Sequence, residues 1–536
     1  MSLLTRLVAS RIGLPAGAVA ELAVDRNLQV AMEDGAVLLA DRWYPVADSS
    51  APIVLMRTPY GRGSQNALKA RLIAERGYQV VVQSTRGTYG SGGEMVPFRH
   101  ERSDGLTTLK WLEQQPWFTG KVGMYGSSYN GITQWAVAAE APEWLKVINP
   151  SVTHTDIASA GLFPGGSCAL EAMASWAFAM EHQEHGALRM ALRSTREIYR
   201  KGFDRTCNSL PVTRVDQALL RKTVPFVQDW LRHEDPADPW WDEARFPAKA
   251  LQAASFVGGW WDLFLPWQLE DYAAHVAAGS HTTLVIGPWT HTSVGLNGAV
   301  VRDALASFDV HLRDRREDRP PVRLHLGGIN EWSSFDAWPP PAEQFTWHLH
   351  ADGSLDEGGP RNEESRTIWF DPADPTPSLG GANLTLHNNG QKDQRRREQR
   401  SDVLSYTSAP LATDLTVIGP VSLQLTATAS AASTDLHVRL CDVDRNGTSR
   451  NLSDGIQRSA GPSIKADISL WPVGHVFRAG HRIRVQLASG AHPTYARNTG
   501  TSLPLTEAVA LVPNQVDVRH DHKGPLLHLP MVKSSV

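Results

Sequence analysis

The stretch at residues 121–141 constrains the fold more than any other part of this sequence. It reads KVGMYGSSYNGITQWAVAAEA, which predicts a short apolar strand at 122–125, a tight turn of small residues, and then a helix. Apolar residues at helical spacing and a terminating proline indicate the helix: Ile132, Trp135, Ala136, Ala139 and Pro142. A serine at such a strand-turn-helix corner is exposed above the end of a parallel sheet, where it can act as a nucleophile.

Ser128 is the better of two candidate nucleophiles at this corner. Because the corner is strained, the residue two positions before the nucleophile must be small. That residue is Gly126 for Ser128 but the bulky Tyr125 for Ser127. Asn130 stands where the usual motif has its second glycine, and asparagine tolerates unusual backbone angles. The turn therefore predicts a nucleophilic serine at position 128, at a helix N-terminus that favours developing negative charge.

Size and composition narrow the class of protein. The chain has 536 residues, a net charge of −4 and 20% charged residues, which predicts several domains and speaks against nucleic-acid binding. No apolar run reaches the roughly 18 residues that a membrane span requires. Three widely spaced cysteines do not suggest a disulfide framework. Arg11 interrupts the apolar core of the N-terminal segment, so we expect no signal peptide and a cytoplasmic location.

Two other polar patterns are expected to be structural. The mostly basic run QKDQRRREQRSD at 391–402 is predicted to be a solvated loop rather than a polyanion site. The pairs His182/His185 and His348/His350 have no carboxylate or cysteine at a spacing that completes a set of metal ligands. We therefore expect no metal and no cofactor.

Strand and helix patterns alternate around the Ser128 turn. Residues 29–44 suggest an opening hairpin, and continuous apolar runs then predict buried strands. The predicted strands are 53–56, 80–82, 122–125 and 145–148, and the predicted helices are 66–76 and one that carries Leu106, Leu109 and Leu112. This alternation is typical of a parallel sheet with helices on both faces.

The middle of the chain interrupts this rhythm. Strand signals are sparse from 153 to 250, where helical segments at 169–184 and 217–232 dominate. The rhythm returns with a strand at 254–257, a helix at 265–278 and a strand at 282–286. These patterns predict a helical insertion that forms a cap over the carboxyl ends of the strands.

Beyond a charged run at 313–319 and Pro320-Pro321, the hydrophobic period becomes two. The alternating stretches are 322–326, 345–349, 421–425, 436–440 and 483–487, which favour an antiparallel β-sandwich. The predicted domains are 1–152 and 251–318 for the α/β domain, 153–250 for the cap, and 319–536 for the sandwich.

Two further loops supply partners for a serine nucleophile. A serine hydroxyl requires a base and a group that orients the base. In sheets of this type the acid and the histidine follow the serine along the chain, at the ends of later strands. Asp262 follows the strand at 254–257, and His291 follows the strand at 282–286. The order and placement predict a Ser128, Asp262, His291 triad.

The negative charge on a tetrahedral intermediate requires hydrogen-bond donors. The backbone N–H of Tyr129 directly follows the nucleophile and supplies one. Tyr60 follows the strand at 53–56, and its hydroxyl is protonated near neutral pH. From the residues alone, Tyr60 is equally well explained as a packing aromatic.

Eight motifs in the same order resemble one family of enzymes. They are RTPY (57–60), STRGTYGSGGE (84–94), QPWFTGKVGMYGSSYNG (115–131), GGWWD (258–262), GPWTH (287–291), NLSDGI (451–456), VFRAGHRIRVQ (476–486) and YARNTGT (495–501). They resemble the CocE/NonD family of serine hydrolases, the relatives of cocaine esterase, α-amino-acid ester hydrolases and X-Pro dipeptidyl peptidases. The resemblance covers nearly the whole chain.

The resemblance implies a three-part architecture and a set of site residues. The fold would be an α/β-hydrolase domain with an inserted helical cap, followed by a C-terminal antiparallel β jelly roll. The implied site consists of the triad Ser128, Asp262 and His291, the oxyanion-hole groups of Tyr60 and Tyr129, and the pocket residues Trp176 and Phe264. Gly161 stands where a second pocket aromatic is expected, so a benzoyl preference does not carry over. Three acidic residues of the cap either bind a substrate amine or form a solvated loop: Glu234, Asp235 and Asp238.

The expected function is cofactor-free hydrolysis of carboxylic esters through an acyl-enzyme. Alternatives within the same chemistry are an amide-directed acylase, a β-lactam-type acyl transferase and an X-Pro dipeptidyl peptidase. A more distant alternative is a non-catalytic ligand-binding protein. The expected partner is a small-molecule ester or amide substrate, with no nucleic acid and no membrane; association into a homo-oligomer stays open.

Overall fold

The computed structural model of the chain describes residues 3–19, 21–48, 50–185, 203–359, 361, 363–385 and 388–532. Within these ranges the helices are α1 Leu3–Arg11, α2 Ser64–Ala74, α3 Glu101–Glu113, α4 Tyr129–Ala138, α5 Leu170–His182, α6 Phe203–Cys207, α7 Val215–Leu220, α8 Pro225–Arg232, α9 Leu265–Ala277, α10 Val294–Arg313 and α11 Arg395–Glu398. Short 3-10 turns, such as Pro239–Ala244, connect several of them.

The first sheet has ten strands among the described residues, in the spatial order β1-β2-β4-β3-β5-β6-β7-β8-β9-β10. They are β1 Leu22–Ala31, β2 Val37–Pro45, β3 Ile53–Thr58, β4 Gln79–Ser84, β5 Val122–Ser127, β6 Leu145–Ser151, β7 Ala253–Trp261, β8 Thr282–Thr290, β9 Val322–Leu326 and β10 Glu331–Phe335. The hairpin β1–β2 is antiparallel, as the sequence predicts, and the run from β4 to β9 is parallel. Parallel pairing places the carboxyl ends of these strands along one edge.

Helices cover both faces of this sheet, which confirms the prediction. Along β3, Ile53 and Leu55 pack in one hydrophobic core with α3, α4 and α9, whereas Val54 and Met56 pack in another with α2 and α10. Side chains of a strand alternate between the two faces of a sheet, so an unbroken apolar run requires a core on each face.

Strands β7 and β8 are longer than the sequence predicts. Residues 258–261 and 287–290 were predicted as loops after the strands at 254–257 and 282–286, but they continue the strands. The two extensions pair with each other, Gly258 with Ile286 and Gly259 with Gly287. Sheet pairing therefore overrides local propensity here, and Asp262 and His291 directly follow the true strand ends.

A helix-rich segment lies between β6 and β7 and contains α5 to α8. Residues 186–202 of the predicted insertion lie outside the described residues. The single helix predicted at 217–232 is wrong: α7 and α8 are separate, because Arg221 adopts a left-handed conformation with φ 58° and Pro225 begins α8.

The C-terminal part forms a second, β-rich sheet of eleven strands among the described residues. They are β11 Glu343–Leu349, β12 Ser354–Asp356, β13 Glu364–Phe370, β14 Val403–Ser408, β15 Leu415–Ala429, β16 Ser433–Val443, β17 Ser449–Ala460, β18 Ser463–Phe477, β19 Arg482–Ala488, β20 Asn514–His520 and β21 Leu526–Met531. The pairing is antiparallel except between β12 and β14. The inward residues of these strands enclose their own core.

Two predictions for this part of the chain are wrong. The stretch 322–326 was assigned to the sandwich, but it forms β9, which pairs with β8 of the first sheet through Leu284 and Val322. The basic run at 391–402 is not fully solvated, since Gln394 and Arg397 are 0% and 1% exposed. The Arg397 guanidinium donates to Gln486 Oε1 and to the Gly490 carbonyl, so internal acceptors replace water.

The second sheet packs against the strand ends of the first. The Trp471 indole of β18 donates to the carbonyl oxygen of Asp262 at 2.9 Å, and the Gly327 N–H, directly after β9, donates to the Gly474 carbonyl of β18 at 2.9 Å. All three cysteines are buried thiols. No helix in the described ranges is both long and apolar enough to cross a membrane.

Candidate active site

Ser128 occupies the sharp corner between β5 and α4. Its backbone has φ 61° and ψ −128°, a conformation that costs energy for any residue with a side chain. The Ser128 N–H donates to the Ser151 carbonyl of β6, and the Thr153 hydroxyl donates to the Ser128 carbonyl, both at 2.9 Å. These bonds hold the strained corner in place.

The packing around the corner explains its sequence. Gly126 has φ 146°, and a Cβ there would lie 2.4 Å from the Asn130 Cβ. A Cβ on Gly131 would lie 2.5 Å from Thr153 Cγ2. The motif therefore needs glycine at 126 and 131, whereas position 130 accommodates asparagine.

Ser128, His291 and Asp262 form one continuous hydrogen-bonded chain. Ser128 Oγ lies 3.0 Å from His291 Nε2, and His291 Nδ1 lies 2.7 Å from Asp262 Oδ2. The structure thus brings together the three residues that the sequence predicts.

Asp262 is fully buried, with 0% exposure. Its Oδ1 accepts the Phe264 N–H at 2.8 Å, while its Oδ2 accepts from His291. Both carboxylate oxygens therefore act as acceptors, which fixes the carboxylate and directs the Nδ1 proton of His291 toward it.

Tyr60 and Tyr129 lie beside this chain. The Trp176 indole donates to the Tyr60 hydroxyl at 3.1 Å, which leaves the hydroxyl proton of Tyr60 available to an acceptor. Burial raises the pKa of Tyr60, against the effect of hydrogen bonds with Trp176 and Ser128. The hydroxyl therefore keeps its proton at neutral pH. The Tyr129 N–H is at the first position of α4, where no helix carbonyl can accept it.

A buried ion pair fixes the Tyr129 side chain behind the corner. The Tyr129 hydroxyl donates to Glu101 Oε1 at 2.8 Å and accepts the Phe98 N–H at 2.9 Å. Glu101 Oε2 lies 3.0 Å from the Arg57 guanidinium. Burial raises the pKa of Glu101, against the opposing charge of Arg57. Arg57 thus supports the Ser128 corner through Glu101 and Tyr129.

The two predicted pocket aromatics also lie at the site. Trp176 of α5 stacks on Tyr129 with ring centroids 6.1 Å apart and an interplanar angle of 2°. Phe264 meets the His291 ring edge-on, at a centroid distance of 5.3 Å. A Cβ on Gly161 would lie 3.4 Å from Phe264 and 2.5 Å from Ile157 Cδ1, so Ile157 occupies part of the space that a larger residue at 161 would need.

The acidic residues of the helix-rich segment are engaged within the protein. Asp238 accepts the Trp240 N–H and pairs with His233, and Glu234 accepts the Leu505 N–H. These contacts favour a structural role over capture of a substrate amine. Within the described ranges, no group of three or more His, Cys, Asp or Glu side chains is placed to hold a metal ion.

Four side chains near the site were not predicted from the sequence. Phe226 and Trp230 of α8 pack on Trp176, and Phe98 stacks against both Tyr129 and Trp176. The i, i+4 spacing of Phe226 and Trp230 was a usable signal. His154 contacts Phe264, and its place just after β6 was the signal for it.

The Ser128 hydroxyl lies at a strand-helix corner within hydrogen-bond distance of an imidazole, and a buried carboxylate orients that imidazole. This arrangement defines the class of serine hydrolases.

Comparison with known proteins gives the family. Residues 34–293 match the X-Pro dipeptidyl-peptidase (S15) family, and residues 315–522 match the X-Pro dipeptidyl-peptidase C-terminal non-catalytic domain. Cocaine esterase of Rhodococcus sp. (strain MB1 Bresler) is 32% identical, over 95% of this chain and 99% of that protein.

Solved structures show the same fold over nearly the full length. An α-amino acid ester hydrolase superposes with a TM-score of 0.80 at 23% identity, covering 97% of this chain and 98% of that one. A CocE/NonD family hydrolase from Staphylococcus aureus has a TM-score of 0.70 at 18% identity, with coverage of 96% and 94%. The chain belongs to the CocE/NonD family of serine hydrolases and is a serine ester hydrolase.

Proposed function

We propose that Ser128, His291 and Asp262 are the catalytic triad with which this enzyme cleaves carboxylic esters. One observation carries the proposal: the unbroken hydrogen-bonded chain from Ser128 Oγ through His291 to the buried Asp262. The Ser128 hydroxyl lies within hydrogen-bond distance of a base, and that base is held in one orientation, which is what nucleophilic catalysis by serine requires.

In the first half-reaction, Ser128 Oγ attacks the ester carbonyl carbon while His291 Nε2 takes the hydroxyl proton. The tetrahedral intermediate then collapses, the carbon–oxygen bond to the alcohol breaks, and His291 returns the proton to the departing alkoxide oxygen. Asp262 stabilises the imidazolium formed in between. The products are a free alcohol and an acyl group on Ser128.

In the second half-reaction, His291 removes a proton from a water molecule that attacks the acyl carbon. Collapse of the new intermediate breaks the bond to Ser128 Oγ, which regains the proton from His291. The acid leaves, and the enzyme returns to its starting state. No step requires a cofactor.

The proposed oxyanion hole is made of the Tyr60 hydroxyl and the Tyr129 N–H. In support, Trp176 donates to the Tyr60 oxygen, which orients the hydroxyl without using its proton. The Glu101 contact anchors the Tyr129 ring, so the first turn of α4 is rigid where the charge develops. Fixed donors of this kind stabilise the transition state more than the ground state.

Tyr60→Phe is expected to lower kcat by about 10²–10³ because it removes one oxyanion donor. The effect on KM should be smaller, since the donor acts on the charge that develops after binding. Steady-state kinetics with a p-nitrophenyl ester measures both constants.

Tyr78→Phe is the matched control. It removes another largely buried tyrosine hydroxyl, which donates to Asp309 at 2.7 Å away from the triad. This variant should lose stability but retain kcat. Equal kcat values for Tyr60→Phe and wild type would exclude the Tyr60 hydroxyl from the oxyanion hole.

We propose that the described residues of 153–250 form a helical cap on the site and that the strands β11 to β21 form a jelly-roll domain. Trp176 of α5 contacts Tyr60, and Trp471 of the C-terminal sheet bonds to Asp262, so both parts support the α/β-hydrolase domain of 1–152 and 251–318. The strands β9 and β10 would then extend the hydrolase sheet.

We also propose a cytoplasmic location. In support, all three cysteines are buried thiols, and cytosolic proteins keep their cysteines reduced.

Amide cleavage is the second candidate, because residues 34–293 match an X-Pro dipeptidyl-peptidase family. We nevertheless expect matched p-nitrophenyl esters to be turned over faster than the corresponding p-nitroanilides, compared as kcat/KM. A dipeptidyl peptidase binds the free amine of its substrate, and the three candidate carboxylates, Glu234, Asp235 and Asp238, each accept a hydrogen bond from within the protein. Faster turnover of a Gly-Pro anilide than of any simple ester would favour the peptidase.

The proposed nucleophile is tested by a fluorophosphonate probe. The probe should add one phosphonyl group per chain, map by peptide mass spectrometry to Ser128, and abolish ester turnover in proportion to labelling. Folded protein that takes up no label while hydrolysing esters would overturn the proposal.

A further inference from the structure

His154 is a buried polar side chain that the proposed mechanism does not use. It lies three residues beyond the end of β6 and is 1% exposed. Neither of its ring nitrogens has a hydrogen-bond partner among the described residues. By contrast, buried His275 bonds through Nε2 to the Gln252 carbonyl at 2.9 Å. A buried group left without a partner costs free energy, so His154 needs an explanation.

The loop that carries His154 is fixed on both sides of it. Val152 has φ 42°, an outlier for a β-branched residue. Thr153 donates to the Ser128 carbonyl at 2.9 Å, and Thr155 donates to Asp271 Oδ1 at 2.7 Å. The strained backbone at Val152 and the hydrogen bonds of Thr153 and Thr155 hold this loop in place, and none of them involves the His154 ring.

His154 lies next to the triad. Its ring meets Phe264 edge-on at a centroid distance of 4.4 Å, and Phe264 contacts His291 at 5.3 Å. Thr153, its direct neighbour in sequence, bonds the backbone of the nucleophile. The unpartnered imidazole and the proposed catalytic base therefore contact the same Phe264 ring.

The imidazole at 154 is neutral. Burial lowers the pKa of His154 to about 3, with the charge of His291 acting in the same direction and Asp156 against it. A neutral imidazole offers one N–H donor and one nitrogen acceptor. This donor and this acceptor match the hydrogen-bonding groups of a hydroxyl or an amide. An ionic group beside the buried imidazole would lose its hydration without gaining a counter-charge.

We propose that His154 is a specificity-determining residue, which hydrogen-bonds an uncharged polar group, a hydroxyl or amide, carried by the ester substrate beside Phe264. The inference rests on the proposed function and extends it to the substrate class. The polar group of the substrate hydrogen-bonds the buried imidazole, whereas a substrate with only hydrocarbon groups leaves the imidazole without a hydrogen-bond partner. Sites with buried polar groups discriminate strongly against substrates that lack the matching group.

The test uses pairs of butyrate-sized esters that differ by a hydroxyl in place of a methyl. One pair varies the acid, p-nitrophenyl 3-hydroxybutyrate against 3-methylbutyrate, and the other varies the alcohol, 2-hydroxypropyl against isobutyl butyrate. Wild type should prefer the hydroxyl member of one pair by at least about tenfold in kcat/KM. His154→Phe should remove that preference, and His154→Gln, which keeps a donor and an acceptor, should restore part of it.

The ester pair for which wild type prefers the hydroxyl member in kcat/KM shows whether the acid or the alcohol part of the substrate contacts His154. No preference in either pair for wild type overturns the inference, and this result does not depend on whether any variant folds. A preference that persists in folded His154→Phe overturns it as well. Labelling of wild-type Ser128 by a fluorophosphonate, with turnover of any ester, keeps the proposed function separate from this outcome.

Discussion

Ser128→Ala is expected to lower kcat for ester hydrolysis by about 10⁶ and to abolish the acyl-enzyme, because no other group can replace the attacking oxygen. Ser128 Oγ is the atom within 3.0 Å of His291 Nε2. The loss should appear in kcat rather than in KM, since the pocket of Trp176 and Phe264 is unchanged. Mass spectrometry of enzyme quenched during turnover would show an acyl adduct on wild type and none on the variant.

Ser127→Ala is the matched control, because it makes the same change one residue earlier. Ser127 is the last residue of β5 and pairs in register with Ser151, so its side chain lies on the strand and not on the corner. This variant should keep the acyl adduct and turn over esters at a rate close to wild type. The reverse pattern, with Ser127→Ala inactive and Ser128→Ala active, would move the nucleophile to position 127.

Asp262→Asn is expected to lower kcat by about 10⁴. Both oxygens of Asp262 are acceptors, one for the Phe264 N–H and one for His291 Nδ1. An asparagine has a single side-chain oxygen. If that oxygen keeps the Phe264 bond, the amide NH₂ faces His291 Nδ1 and forces the ring proton onto Nε2. Nε2 is then a donor and cannot take the Ser128 proton.

Asp271→Asn is the control for removing a buried carboxyl group. Burial raises the pKa of Asp271 to about 8, so near neutral pH an amide replaces a group that is already mostly protonated. Its Oδ1 can still accept from Thr155. Activity should stay close to wild type. If Asp262→Asn retained wild-type kcat with His291 still in place, the orienting role of Asp262 would be wrong.

The positions of the site residues were predictable because they depend on local rules. A nucleophile corner requires small residues at fixed offsets, and Gly126 and Gly131 are there because a Cβ would clash at both. The carboxyl ends of parallel strands share one edge, so residues that follow β5, β7 and β8 converge although they are far apart in sequence. These rules were sufficient to predict that Ser128, Asp262 and His291 lie close together.

The errors arose where long-range pairing opposed local composition. The predicted strands ended at 257 and 286, but pairing between β7 and β8 extends both strands through 261 and 290. An alternating pattern assigned 322–326 to the C-terminal sheet, but these residues form β9 between β8 and β10, because a period of two does not specify which sheet a strand joins. A run of charges predicted a solvated loop around Arg397, which internal acceptors allow to be buried.

The nucleophile corner follows from small residues at fixed offsets in the sequence, and the order of the proposed triad follows from the strands that precede Ser128, Asp262 and His291. Which side chains surround the proposed triad depends on tertiary packing. Trp230 of α8, Phe98 of the loop before α3, and His154 after β6 come from separate parts of the chain. Local patterns could mark individual residues, such as the i, i+4 pair of Phe226 and Trp230, but their proximity to the triad follows from packing of the helix-rich segment on the strand ends. Whether the His154 nitrogens have hydrogen-bond partners depends on the positions of all neighbouring donors and acceptors, which the sequence does not give.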